Sequence, residues 1–167
     1  MAEGIIGNRG GTPNLRDYER ACSAFSWEAE SRELARLPDG GLNIAHEAVD
    51  RHIRGPLRDQ PALRFLGQDG AVEDYTYGRL HDLTNRFANL LRRLGIGAGD
   101  PVVTLLGPGA EQHIAALGTL KNRSVFCPLY AAFGPEPTRI RLNLSKAKIL
   151  VTTEALFRRK IRPQLDA

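Results

Sequence analysis

The chain has 167 residues, of which 42% are hydrophobic and 25% charged, and its net charge is +4. These values are typical of a soluble globular protein with a sizeable core. No apolar run approaches the ~20 residues that span a bilayer, and the first residues lack the apolar segment of a secretory signal. Two distant cysteines, Cys22 and Cys127, give no disulfide framework. A cytoplasmic protein without a membrane partner is therefore predicted.

Charge is unevenly distributed along the sequence. From Arg139 onward, Lys and Arg residues far outnumber the two acidic residues, Glu154 and Asp166. Such a segment suits either a phosphate-bearing ligand or a solvated surface. No interleaved exposed aromatics and no nucleic-acid motif accompany it, so nucleic acid is not predicted as a partner.

The N-terminal part predicts short helices. Residues 1–13 are Gly-rich with little apolar patterning, which predicts a disordered N-terminus before a domain that covers residues 14–167. Residues 15–37 have apolar side chains at mixed helical spacing, and predict a helical arm that ends before the turn residues 38–41. Residues 42–53 predict a further helix with Asn43 as its N-cap. Its apolar face is predicted to comprise Ile44, Ala48, Val49 and His52.

A hairpin and a long helix come next. Residues 61–66 and 72–76 flank a Gly-containing turn and predict two paired strands. Thr76 is placed to cap a helix over residues 77–94, which Gly95 ends in the left-handed conformation. Arg79 stands where a capping box would have Glu or Gln. The predicted apolar stripe of this helix comprises Leu80, Leu83, Phe87, Leu90, Leu91 and Leu94.

Residues 100–153 predict the core of the fold. Apolar runs rich in β-branched residues lie at 101–106, 125–130 and 149–153, and amphipathic segments separate them. This β-α-β-α-β pattern is typical of a buried parallel sheet, because parallel neighbours need crossovers of a dozen or more residues. The sequence therefore predicts an α/β fold, a partial parallel sheet with flanking helices, preceded by the helical arm and the hairpin.

Two glycine-rich segments are candidates for a phosphate loop. Residues 95–99 follow a helix and precede a strand, which is the reverse of the order that a phosphate loop needs, so they predict a turn. Residues 107–109 lie between a strand and a helix, as required. However, Gln112 stands where the dinucleotide fingerprint has its third glycine, and Tyr130 stands where it has an acidic residue.

Other chemically active residues lack partners in the sequence. His46 and Asp50 are one helical turn apart, but no third metal ligand is evident, so a polar helix surface is the favoured interpretation. Cys127 lies in an apolar strand and is predicted to be a small buried hydrophobe. His113 has no obvious Ser or Asp partner. No metal site and no catalytic residue are predicted from these patterns.

An ordered set of motifs over residues 15–162 resembles the AMP-forming acetyl-CoA synthetases of the acyl-adenylate-forming superfamily. The segment Leu42 to His52 resembles the opening of that family's large domain, and Phe25-Ser-Trp27 is similar to its N-terminal arm. The remaining matches are Tyr75-Thr-Tyr-Gly-Arg-Leu80, Gly99-Asp100-Pro-Val-Val, Gly107-Pro-Gly-Ala-Glu111, Leu120-Lys121, Pro128-Leu-Tyr-Ala-Ala-Phe-Gly-Pro-Glu136 and Ala147-Lys-Ile-Leu-Val-Thr-Thr153. Where the family has a Gly after the second helix of the sheet unit, this chain has Arg123. If Arg123 adopts the left-handed conformation that a Gly would take there, the cost is about 1 kcal/mol.

The resemblance implies an enzyme that joins acetate to ATP as an acyl-adenylate and then transfers the acyl group to CoA, with Mg²⁺. It also implies that Arg159 and Arg162, three residues apart, contact the nucleotide part of CoA, although a basic face on a terminal helix explains the same spacing. The family's ATP-phosphate loop, acyl pocket and C-terminal catalytic Lys have no counterpart in these 167 residues. The chain alone is therefore predicted to be inactive, with no cofactor of its own and no metal site.

Two alternatives stay open from the sequence alone. One is a non-catalytic CoA- or protein-binding module that reuses the fold, and the other is an unrelated nucleotide-binding α/β domain. The predicted partners are the remainder of such an enzyme, or a second copy that pairs through an exposed sheet edge at residues 149–153.

Overall fold

The computed structural model describes residues 15–67 and 69–165, so the N-terminus predicted to be disordered lies outside the described residues. The chain divides into two compact units, residues 1–35 and 36–167. The first unit contains α1 (Tyr18–Ala24) and α2 (Trp27–Arg32). Asp17 caps α1 and Ser26 caps α2 through side-chain oxygens, which confirms the predicted helical arm. Within the described residues, 15–67 and 69–165, no helix has the length and apolar character needed to cross a membrane.

The second unit begins with α3 (Ile44–Ala48) and a single 3₁₀ turn at Asp50–His52. Asn43 caps α3 as predicted, since its Oδ1 accepts from the backbone N–H groups of Ala45 and His46. The helix is shorter than predicted because Val49 leaves helical geometry at φ −131°. The predicted apolar face is also wrong in part: Ile44 is 67% exposed, whereas Ala45 is buried.

The predicted hairpin is confirmed. Strands β1 (Pro61–Leu66) and β2 (Val72–Thr76) pair antiparallel. Arg64 donates two hydrogen bonds of 2.7 Å to the Asp74 carboxylate across the pair. This fork lowers the pKa of the Asp74 carboxyl below its usual value.

Helix α4 (Tyr77–Arg93) starts directly from β2. Thr76 caps it as predicted, since its Oγ1 accepts from the Arg79 N–H at 3.1 Å. Arg79 does not act as a capping-box residue. Its guanidinium donates to the Asp74 carbonyl and the Glu73 carboxylate, and lies 3.9 Å from the centre of the Tyr75 ring. Arg79 therefore attaches the first turn of α4 to the hairpin.

The buried face of α4 differs from the predicted stripe. Leu80 and Leu91 are buried as predicted, but Leu90 and Leu94 are 41% and 55% exposed. The buried face is completed instead by the smaller side chains of Thr84 and Ala88. Small residues occupy this face because the next helix of the chain, α5 (Ala110–Lys121), packs closely against it through Gly118.

A three-stranded parallel sheet forms the centre of the second unit, as predicted. Its elements in chain order are β3 (Pro101–Leu106), α5 (Ala110–Lys121), β4 (Val125–Tyr130), α6 (Pro135–Ser145) and β5 (Ile149–Thr152). The strand order is β4-β3-β5, so β3 is central and the chain crosses it between β4 and β5. Val102 pairs with Phe126 on one side and with Ile149 on the other. The predicted α/β fold is confirmed. Cys127 of β4, predicted to be buried, is half-buried.

Alternate residues of β3 feed two separate apolar clusters, one on each face of the sheet. Val102 packs with Leu91 and Ile96, against Phe87 of α4. Leu105 packs with Leu156 and Ile161, on the face that α6 covers through Leu142. Because successive side chains of a strand point to opposite faces, burial of both sets requires helices on both sides of the sheet.

The chain after β5 is helical but irregular. It comprises α7 (Glu154–Leu156), a π-helical turn (Phe157–Ile161) and a 3₁₀ turn (Arg162–Gln164). Lys160 is only 6% exposed. Its ammonium donates to the carbonyl oxygens of Ala131 and Phe133, which follow β4. This contact fixes the segment after β5 against the loop after β4.

Candidate functional site

The strand order defines where a ligand site is expected. From β3 the chain moves to β4 on one side, and the next strand, β5, lies on the other side. In open parallel sheets, ligands bind outside the carboxyl ends of the strands at such a reversal. The segments at this edge are residues 107–109 after β3, residues 131–134 after β4, and residues 153–165 after β5.

The turn after β3 leads into α5. Gly109 occupies the N-cap position of α5 and provides no side-chain cap. His113 donates from Nδ1 to the Gly109 carbonyl at 3.1 Å, and its ring contacts the ring of Phe65 with 5.6 Å between centres. Both contacts give His113 a role in holding the turn and β1 together. No nucleophile is paired with it among residues 15–67 and 69–165.

The two predicted CoA-contacting residues lie after β5. Arg159 and Arg162 are both exposed, and neither forms an ion pair within the described part of the chain. Arg162 lines a recess of about 400 Å³ together with Glu154, Phe157, Arg158 and Leu165. Arg158 lines the same recess while its guanidinium lies 2.5 Å from the Glu154 carboxylate. The π-helical turn thus brings Arg158, rather than Arg159, to the recess with Arg162.

The start of α6 adds a second ion pair at the same edge of the sheet. Arg139 donates to Glu136 at 2.9 Å and 2.5 Å, one helical turn away. The Arg139 guanidinium lowers the pKa of the Glu136 carboxyl. Glu136 is therefore a partner of Arg139 and not a proton donor near neutral pH.

A second group of polar side chains lies away from this edge. Asp50 Oδ1 accepts from Lys121 Nζ at 2.6 Å and lies 2.7 Å from His81 Nδ1. Asn85 Oδ1 accepts from Lys121 at 2.9 Å, and Asn85 Nδ2 lies 2.8 Å from His81 Nε2. The ammonium fixes the orientation of the amide, so His81 accepts at Nε2 and donates from Nδ1 to Asp50. The four residues form a closed hydrogen-bonded ring.

The ring explains the role of Asp50, which with His46 forms the candidate metal motif of the sequence. Asp50 is hydrogen-bonded to the Lys121 ammonium and the His81 imidazole. Within residues 15–67 and 69–165, no group of three His, Cys, Asp or Glu side chains is arranged to hold a metal ion. The ring borders a cavity of about 420 Å³, which sequence reasoning did not find because its lining comes from four separate segments.

The sequence and the fold match one enzyme family. Residues 49–167 match the family model described as "AMP-binding enzyme". The chain is 33% identical to the acetyl-coenzyme A synthetase of Bacillus subtilis (strain 168) over 150 residues, which cover 89% of this chain and 26% of that protein. It is 32% identical to the 3-hydroxypropionyl-coenzyme A synthetase of Metallosphaera sedula, over 81% of this chain and 22% of the relative.

A solved structure agrees with these relatives. The crystal structure of the Brucella canis acyl-CoA synthetase superposes with a TM-score of 0.77 at 34% identity, over 87% of this chain and 26% of that one. The chain thus spans about a quarter, or less, of the length of the proteins that it matches. The resemblance noted in the sequence is confirmed, and the chain belongs to the AMP-binding enzyme family, among relatives named acetyl-CoA synthetase.

Proposed function

We propose that this chain is the N-terminal part of the large domain of an AMP-forming acetate–CoA ligase. Such an enzyme activates acetate with ATP to give acetyl-adenylate and pyrophosphate, and then transfers the acetyl group to CoA. The observation that carries the proposal is the 33% identity to an acetyl-coenzyme A synthetase over 89% of the chain. Membership of this family replaces the alternative of an unrelated nucleotide-binding domain.

In this proposal the chain contributes a scaffold and a CoA contact. The sheet holds the turns after β3 and β5 at one edge, and Lys160 holds the segment after β5 against the loop after β4. Arg159 and Arg162 are assigned to CoA contact because each guanidinium offers a rigid fork of donors to a phosphate. Their exposure and lack of ion-pair partners in the described part of the chain support this role. Arg158 is the competing candidate, because it shares the recess with Arg162.

ATP and Mg²⁺ would be held by other parts of such an enzyme. The described residues offer no carboxylate cluster for a metal. The 167 residues contain no Ser/Thr/Gly-rich loop ending in Pro-Lys-Gly. Adenylyl transfer depends on positioned donors and a metal, so we propose that the chain alone does not catalyse either half-reaction.

The decisive experiment is acetate-dependent exchange of labelled pyrophosphate into ATP, with thioester formation from acetate, ATP and CoA as a second readout. The purified 167-residue chain should give rates equal to the protein-free blank in both assays. The acetyl-coenzyme A synthetase of Bacillus subtilis serves as the positive control. Exchange above the blank by this chain would reject the proposal that the chain alone catalyses neither half-reaction.

Thermal unfolding with CoA distinguishes the proposed function, part of a ligase, from the alternative, a non-catalytic CoA-binding module. A ligand at 100 times its dissociation constant adds about 2.7 kcal/mol to the free energy of unfolding. The proposal of an enzyme part expects no change in melting temperature with CoA, because two exposed arginines alone, Arg159 and Arg162, are too few contacts to hold CoA on the isolated chain. A rise with CoA that disappears in the double variant Arg159→Ala/Arg162→Ala, but persists in Arg158→Ala, would favour the binding module.

We also propose that the sheet edge at β5 pairs with further chain, either the remainder of the enzyme or a second copy. Among the described strands, β5 pairs only with β3, so its outer N–H and C=O groups face no neighbouring strand. Such an edge is a template for pairing. Concentration-dependent light scattering by the purified chain would support self-association, whereas a monomer at every concentration would exclude the second copy.

A further inference from the structure

The cavity beside the Asp50 ring lies at the opposite end of the sheet from the candidate CoA site. Its lining includes Asn89 and Arg92 near the end of α4, and Lys121 and Arg123 at the end of α5. Helix α5 begins after the carboxyl end of β3 and ends before the amino end of β4. The cavity therefore belongs to the amino-end edge of the strands, and the proposed CoA contact does not use it.

The cavity has a surplus of positive charge. Its lining contains one carboxylate, Asp50, against three cations, Arg92, Lys121 and Arg123. The Asp50 carboxylate neutralises Lys121, whose Nζ lies 2.6 Å from its Oδ1. Within residues 15–67 and 69–165, no carboxylate forms an ion pair with Arg92 or Arg123. Two guanidinium charges thus face the cavity without a neutralising partner in the described chain.

The two guanidinium groups also have donors to offer. Arg92 Nε donates to Asn122 Oδ1 at 3.1 Å, which anchors the side chain and leaves its terminal N–H groups to the cavity. No hydrogen bond from the Arg123 side chain joins it to another described residue. Asn89, on the same side of α4 as Arg92, adds an exposed amide. Planar donor forks of this kind bind phosphate oxygens in pairs.

The backbone at Arg123 gives an independent reason to assign its side chain a role. Arg123 has φ +63°, the left-handed conformation that a glycine adopts without strain. A cation at the end of α5 would be favourable for the helix dipole, but Lys121 already provides one. An arginine at a position where glycine is easier keeps a guanidinium at the mouth of the cavity. Strained positions of this kind are concentrated at functional sites.

We propose that this cavity binds the phosphate group of a small molecule, with Arg92 and Arg123 as its two ligands and Asn89 as an additional donor. Asp50 and Lys121 form the neutral wall of the site, since their charges cancel. The volume of about 420 Å³ exceeds that of a single phosphate, so the rest of the molecule can share the cavity. The proposal is independent of the CoA ligase function, because it uses none of the residues placed at the carboxyl edge of the sheet.

The test compares two variants that have the same effect on charge and on backbone strain. Arg123→Gly removes one cation and relieves a left-handed residue at the cavity. Lys146→Gly also removes one cation and relieves a left-handed residue, at φ +51°, but Lys146 follows α6 and does not line the cavity. Both variants should melt above the unmodified chain in phosphate-free buffer, which shows that both are folded.

The binding measurement uses inorganic phosphate as the probe, at constant ionic strength, by isothermal titration and by the phosphate-induced rise in melting temperature. The unmodified chain and Lys146→Gly should bind with the same dissociation constant. Arg123→Gly should bind at least about ten-fold more weakly, because a hydrogen-bonded charge is lost. Adenosine monophosphate and adenosine, compared in parallel, distinguish a nucleotide phosphate from free phosphate as the source.

Three outcomes would overturn the proposal. The first is an unmodified chain that shows no saturable phosphate binding. The second is an Arg123→Gly variant that melts higher but binds phosphate as tightly as the unmodified chain. The third is equal weakening by Arg123→Gly and Lys146→Gly, which would indicate a response to net charge alone.

Discussion

Lys121 donates to Asp50 at 2.6 Å, although 71 residues separate them in sequence. The contact joins the end of α5 to the 3₁₀ turn after α3. The Lys121 side chain is 8% exposed and the Asp50 side chain 22%, so the pair is largely withdrawn from water. Asn85 accepts a second hydrogen bond from Lys121 and His81 donates one to Asp50, so each charge has a further polar partner within the ring.

Removal of the Asp50 carboxylate charge should lower the free energy of unfolding. Asp50→Asn leaves the Lys121 ammonium buried without a counter-charge, and we expect the free energy of unfolding to fall by about 3 kcal/mol. Urea denaturation at neutral pH measures this change. The double variant Asp50→Asn/Lys121→Met removes the unpaired charge and should recover part of the loss. Equal losses in the single and double variants would show that the unpaired Lys121 ammonium is not the source of the loss.

Local signals in the sequence predicted the elements well. The caps at Asn43 and Thr76 and the hairpin turn each depend on a few adjacent residues, and each strand of the parallel sheet is marked by a short apolar run. Arg123, which stands where the related family has Gly, adopts the left-handed conformation that a Gly would take there, with φ +63°. The caps and the hairpin turn need no knowledge of the tertiary contacts, because short-range backbone geometry determines them.

The predictions failed where packing between distant elements selects the buried face. Leu90 and Leu94 were expected in the buried stripe of α4, but Thr84 and Ala88 are buried instead, because α5 approaches too closely for larger side chains. On α3, Ile44 was likewise expected on the buried face, but Ala45 is buried instead. The cavity at Asp50 could not be predicted, since its lining converges from segments far apart in sequence.

The close approach of α4 and α5 gives a second prediction. A Cβ added at Gly118 would lie 2.8 Å from Phe87 Cδ1 and 2.9 Å from the Thr84 carbonyl oxygen. Alanine normally stabilises a helix interior relative to glycine, but here overpacking should prevail. We expect Gly118→Ala to lower the free energy of unfolding by about 1–3 kcal/mol, measured by urea denaturation.

A matched substitution elsewhere controls for the change from glycine to alanine. A Cβ added at Gly55 would meet no heavy atom within 4 Å, and the backbone there does not have a positive φ. Gly55→Ala should leave the free energy of unfolding unchanged or raise it by about 0.4–1 kcal/mol. If Gly118→Ala also stabilised the chain, the two helices would have to be further apart than described.

The third prediction concerns Asp100, the residue immediately before β3. Lys148 lies 2.7 Å from its Oδ1, and the Gly97 N–H donates to its Oδ2 at 2.8 Å. The hydrogen bond from Lys148, and then that from Gly97, lower the pKa of the Asp100 carboxyl below the ordinary value of 3.8. The folded state therefore holds this proton less tightly than the unfolded state. The stabilising effect is complete above about pH 4 and is lost as the pH falls through the folded-state pKa.

Asp100→Asn should accordingly lower the urea midpoint at pH 7, and the difference from the unmodified chain should shrink as the pH falls below about 4. The control is Asp82→Asn, which neutralises an exposed carboxylate of α4 that forms no ion pair within the described residues. Its midpoint should follow that of the unmodified chain across the same pH range. A difference between Asp100→Asn and the unmodified chain that stayed constant over this range would show that the contacts of Asp100 do not depend on its charge. In that case the attachment of β3 to β5 through Lys148 would be a packing effect. The variant Lys148→Met should then have the urea midpoint of the unmodified chain both at pH 7 and below pH 4.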